Sequence, residues 1–100
     1  MPEETVMTEN QRTSMVRVTG RVQGVAFRAW TCHEAQKLGL NGWVKNERDG
    51  SVVALISGPE GAVEQLLERL WQGPPAASVS AVEQLPVPDA DIPAGFHITG

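Results

Sequence analysis

Between Gly20 and Arg28 the sequence changes its period. Upstream, Met15 to Thr19 alternates, with Val16 and Val18 on one face and Arg17 and Thr19 on the other, which predicts a β-strand. Downstream, Phe27, Thr31, Ala35 and Leu38 form one stripe, with Trp30 at its edge, which predicts a helix over 27–38. The connection contains Gly20 and Gly24, residues that accept left-handed or close-approach backbone, so the loop can turn several N–H groups inward. The first N–H groups of a helix have no intrahelical partner, and the helix dipole adds positive charge there. A strand, a two-glycine loop and a helix start therefore make an anion cradle. Arg28, in the first turn, adds a full charge and a fork that spans two oxygens. Taken alone, a Gly-x-x-x-Gly is a weak signal, and a tight turn beside a solvated arginine is its commoner meaning.

The remaining elements follow in order. Leu40 to Arg48 reads as a second strand with a polar Asn46 inside it, and Asp49-Gly50 is a hairpin signal. Ser51 to Ser57 is a third strand with Val52, Ala54 and Ile56 on one side and Val53 and Leu55 on the other, which leaves its facing open. Pro59 suits the first position of a second helix, whose stripe is Val63, Leu66, Leu67 and Leu70. Gly73-Pro74-Pro75 ends it, Ala77 to Gln84 gives a fourth strand through Val79 and Val82, and Pro86, Pro88 and Pro93 mark a loop. Phe96-His97-Ile98 can add a short fifth strand. The order βαββαβ predicts an α+β sandwich of the ferredoxin-like kind, with two helices on one face of an antiparallel sheet. Residues 1–14 are polar and aperiodic and read as a disordered tail before a domain at 15–100.

Two stretches together carry a more specific signal. Gly20-Arg21-Val22-Gln23-Gly24-Val25-Ala26-Phe27-Arg28, then Gly39-Leu40-Asn41-Gly42-Trp43-Val44-Lys45-Asn46 and Asp49-Gly50, resemble the acylphosphatase family from about Met15 onward. Ala26 departs from the glycine or bulky residue common in that family. The resemblance implies the same ferredoxin-like fold and hydrolysis of the carboxyl-phosphate bond of acyl phosphates, giving a carboxylate and inorganic phosphate. It implies that the backbone of Arg21, Val22, Gln23, Gly24, Val25, Ala26 and Phe27, with Arg28, holds the phosphoryl group. Asn46 suits the orientation of water, because an amide accepts and donates without placing charge beside an anion. Glu47 belongs on the opposite face by strand alternation and is a poor base candidate. An acyl phosphate has a good leaving group, so neither metal, cofactor nor covalent intermediate is expected. Inorganic phosphate or sulfate should occupy the same cradle.

Composition narrows the alternatives. One hundred residues with 41% hydrophobic content support a single core. A single cysteine, Cys32, excludes an internal disulfide and suits a reducing compartment. With no signal-like start and no apolar run of about 20 residues, a monomeric cytoplasmic protein without a membrane partner is expected. The net charge of −4 argues against nucleic acid. Residues 15–58, however, hold Arg17, Arg21, Arg28, Lys37, Lys45 and Arg48 against Glu34, Glu47 and Asp49, which suits a small anion. His33-Glu34 resembles the start of a zinc site, but Lys37 stands where the second histidine belongs. His97 reads as an ordinary strand residue and Cys32 as a quiet thiol. Two other classes stay open at this point: a binding domain that keeps the cradle without turnover or serves carbamoyl phosphate to a partner, and an RNA-binding sheet. The second lacks aromatics on the first strand.

Overall fold

The computed structural model describes residues 10–100. Strand β1 (Gln11–Arg21) leads to helix α1 (Phe27–Lys37), then to β2 (Asn41–Asn46) and β3 (Val52–Pro59). Helix α2 (Glu60–Gln72), β4 (Ser78–Leu85) and β5 (Phe96–Ile98) complete it. The sheet order is β4-β1-β3-β2-β5. This is the expected ferredoxin-like α+β fold.

The core lies between the sheet and the helices. Val16 and Val18 of β1, Val44 of β2 and Val52, Ala54 and Ile56 of β3 meet Phe27 and Ala35 of α1 and Val63, Leu66 and Leu70 of α2. That settles the facing of β3. Val53 and Leu55 are also buried, on the other face, because β3 is the central strand. There Val53 is flanked by Arg17 and Lys45, and Leu55 by Met15 and Trp43.

Four features differ from the sequence expectation. First, β1 begins at Gln11, so residues 11–14 belong to the sheet and not to a tail. They pair with 56–59 although no apolar pattern marks them, and Thr13 and Ser57 share a hydroxyl–hydroxyl hydrogen bond of 2.9 Å. The rest of the expected tail, residues 1–9, lies outside the described residues. Second, β5 runs parallel to β2, so the sheet is mixed and not purely antiparallel. The chain leaves β4 at one edge and must cross the whole sheet to reach β5 at the other. Third, β2 ends at Asn46 and β3 starts at Val52, because the turn between them closes on itself. Glu47 N–H donates to the Ser51 carbonyl (2.8 Å), and the Asp49 carboxylate accepts from the Ser51 N–H (2.9 Å) and hydroxyl (2.6 Å).

The fourth concerns β4. Val79 and Val82 both pack on the core despite a spacing that strict alternation would place on opposite faces. Thr19 faces Ala81 while Gly20 faces Val79, so Ser80 is an extra residue, a β-bulge that returns both valines inward. Gly20 is required opposite it: at φ 119 a Cβ would collide with the Ser78 carbonyl oxygen.

Candidate active site

The site is built where β1 hands over to α1. The strand releases the chain at Arg21, whose partner is Ser78. Gly24 (φ 74) and Ala26 (φ 63, ψ 26) then adopt left-handed backbone, and Ala26 is the N-cap of α1. Left-handed residues within a loop let successive N–H groups turn to one side. Among the described residues, no acceptor is found for the N–H groups of Val22 through Ala29; Trp30 is the first to be paired, with the Ala26 carbonyl at 3.0 Å. The first turn of α1 contains no acidic residue that would occupy these donors or offset the dipole.

Val22, Gly24, Ala26, Phe27, Arg28, Ala29, Asn46 and Ile98 line a cavity of about 220 Å³. Phe27 and Val22 are anchored in the core, which fixes the loop's two ends. Arg28 is half-buried, and its Nη1 donates to the Gly100 main-chain oxygen at 2.7 Å. That bond holds the guanidinium at the cavity's edge and leaves its other N–H groups for a ligand. Asn46 ends β2 on the same face as buried Val44, beneath the start of α1. Its Oδ1 is buried without a hydrogen-bond partner among the described residues. Glu47 lies on the opposite face, paired with Lys45 at 3.5 Å.

Of the expected phosphate-holding residues, Val22, Gly24, Ala26, Phe27 and Arg28 meet Asn46 at this cavity. Arg21, Gln23 and Val25 do not line it. Arg21 is the exposed last residue of β1, Val25 packs on the core, and the Gln23 side chain turns to the β2–β3 hairpin. Two lining residues had no sequence signal. Ala29 follows Arg28 around the helix, and Ile98 arrives only through the parallel pairing of β5 beside β2. Cys32, His97 and His33 stand apart from the cavity. The Cys32 thiol donates to the Phe96 carbonyl (3.3 Å), His97 bonds the Ala94 carbonyl (2.6 Å), and His33 is exposed. Among the described residues no group of three His, Cys, Asp or Glu side chains could hold a metal ion, and no helix is long and apolar enough to cross a membrane.

The acylphosphatase family model matches residues 14–98. The chain belongs to the acylphosphatase family. An acylphosphatase from Sinorhizobium medicae is 58% identical over 93 residues, covering 93% of this chain and 99% of that one. The solved acylphosphatase from Coxiella burnetii superposes with a TM-score of 0.79 at 37% identity, covering 94% of this chain and all of that one. The acylphosphatase from Bacillus subtilis gives 0.76 at 37% identity over 88% of this chain and 98% of its own. Membership makes the protein an enzyme, and the family's chemistry is the hydrolysis of acyl phosphates.

Proposed function

We propose that the cavity binds the phosphoryl group of an acyl phosphate and that Asn46 orients the attacking water, with no covalent intermediate and no metal. The observation that carries this reading is the cavity that the loop, Arg28 and Asn46 share, beside a run of N–H groups from Val22 to Ala29 for which no acceptor is found among the described residues.

The phosphoryl group is anionic in the ground state and in the transition state, and there is little covalent work for side chains to do. Positioning and electrostatic stabilisation therefore dominate. The backbone of Val22 to Phe27 and the guanidinium of Arg28 supply fixed donors for the equatorial oxygens. The carboxylate leaves without general-acid help because it is a weak base. What remains is to hold one water in line with the departing oxygen. Asn46 supports that role by its place at the cavity wall and by its chemistry. A buried amide oxygen without a partner costs about 1–3 kcal/mol, a cost that a purely structural asparagine would avoid by bonding its own turn. Ile98, Ala29 and Ala26 give the cavity an apolar rim, suited to the acyl end of the substrate.

The deciding measurement is phosphate release from benzoyl phosphate, with and without added inorganic phosphate or sulfate. Turnover with competitive inhibition by both anions is expected, together with activity that survives a chelator. No turnover, or inhibition that is non-competitive, would remove the cradle as the catalytic site.

A further inference from the structure

We infer that Gln23 is a positioning residue for this reaction, a clamp that fixes the phosphate loop against the hairpin carrying Asn46. The inference rests on the proposed role of Asn46. Gln23 lies in the middle of the loop yet does not line the cavity. Its Nε2 instead donates to the Glu47 carbonyl and to the Ser51 carbonyl, both at 2.8 Å.

These two acceptors define a particular place. Glu47 directly follows Asn46, and Ser51 directly precedes Val52, which is the cross-strand partner of Asn46. The same two carbonyls close the hairpin: Ser51 accepts from Glu47 N–H (2.8 Å), and Glu47 accepts from Gly50 N–H (3.2 Å). Gln23 thus grips the two residues next to the Asn46–Val52 pair on its turn side. Both partners can only accept, so the amide must present its nitrogen, and both of that nitrogen's hydrogens are used. Among the described residues, no backbone hydrogen bond joins the loop to this hairpin. With Val22 and Phe27 holding the loop's ends in the core, Gln23 is the hydrogen-bonded link between the middle of the loop and this hairpin.

A clamp of this kind has a signature that a generally stabilising contact lacks. Phosphate binding uses the loop and Arg28 alone, whereas turnover needs the loop and Asn46 in register. Misplacement by about 1 Å can cost on the order of 10²-fold in rate. The test uses Gln23→Met, which keeps length and removes both donors, alone and combined with Asn46→Ala. The single variant should lose about 10-fold or more in kcat with the inhibition constant for inorganic phosphate changed only a few-fold. In the Asn46→Ala background the same substitution should cost no more than about 2-fold, because the group it positions is gone. Gln23→Glu gives a second measurement that does not depend on the first variant folding. Its carboxylate opposes two carbonyls when ionised and regains one donor when protonated. Its kcat relative to the parent chain should therefore recover as pH falls. Equal losses in both backgrounds, a full kcat in Gln23→Met, or a Gln23→Glu ratio flat with pH would each overturn the clamp. An Asn46→Ala variant with normal turnover would instead overturn the reading of Asn46 beneath it.

Discussion

At the scale of single residues, Ala26 is the point of tension. It is the one non-glycine residue with positive φ among those described, and a side chain makes that backbone cost about 1–2 kcal/mol. Ala26→Gly should therefore raise stability by about 0.5–1 kcal/mol once the extra freedom of the unfolded chain is subtracted; urea unfolding reads this directly, and a lower midpoint would show that the methyl group's contacts matter more. Asn46→Ala should lower kcat by about 10²-fold while leaving the inhibition constant for phosphate within a few-fold, the pattern of a contact made only during reaction. Steady-state kinetics with phosphate as inhibitor separates the two quantities, and equal loss of both would make Asn46 a binding group. Arg28→Lys should fall close to Arg28→Ala in kcat/KM, since lysine keeps the charge but cannot hold the Gly100 oxygen and two phosphoryl oxygens in one plane. A lysine variant of near-normal kcat/KM would reduce Arg28 to a point charge.

Among the elements, α1 and α2 are joined by Glu34, which pairs with Lys37 (3.1 Å) and with Arg69 across the helices (2.8 Å). Burial disfavours its charged form, but the hydrogen bonds and charges of Lys37 and Arg69 outweigh that and hold its carboxyl below the ordinary value of 4.5. The Ser51 hydroxyl and N–H hold Asp49 below 3.8 in the hairpin. The unfolded chain takes up these protons first, so both contributions are complete above about pH 4.5 and fade as pH falls through the depressed folded values. Thermal melts of Glu34→Gln should show a shallower acid-side slope than the parent chain, at a cost near neutral pH of about 1 kcal/mol or less; identical pH profiles would make this link inert. The helices and their stripes were legible because their burial follows one period: Phe27, Thr31 and Ala35 on α1, and Val63, Leu66 and Leu70 on α2, are the buried residues. The start of β1 was not, since Gln11 to Ser14 are polar and their sheet partners satisfy them through hydrogen bonds that leave no apolar pattern. The bulge at Ser80 was hidden for a similar reason, being a property of the pairing with Gly20 and not of β4's own sequence. At the site, the motif pointed to Arg28 and Asn46, whereas Ile98 and the Gln23 bonds exist only once distant segments meet.

For the whole molecule, the site is a product of the complete sheet. Val22, Gly24, Ala26, Phe27, Arg28, Ala29 and Asn46 meet Ile98, and Gly100 anchors Arg28, so no single hairpin or helix contains the machinery. Loss of activity in denaturant should therefore coincide with loss of secondary structure in one transition; activity that disappears at clearly lower denaturant would reveal a site that opens by itself. The bulge at Ser80 has a consequence outside the molecule as well. Strand β4 is an outer strand of the sheet, and an uninterrupted edge of that kind is a template on which a second chain can add. The extra residue breaks the even spacing of its outward N–H and C=O groups, and Pro86 stops the ladder immediately beyond Leu85. Bulges and prolines make an edge a poorer template for a second copy, so the irregularity that brings Val79 and Val82 to the core also leaves β4 a less regular edge among the described residues.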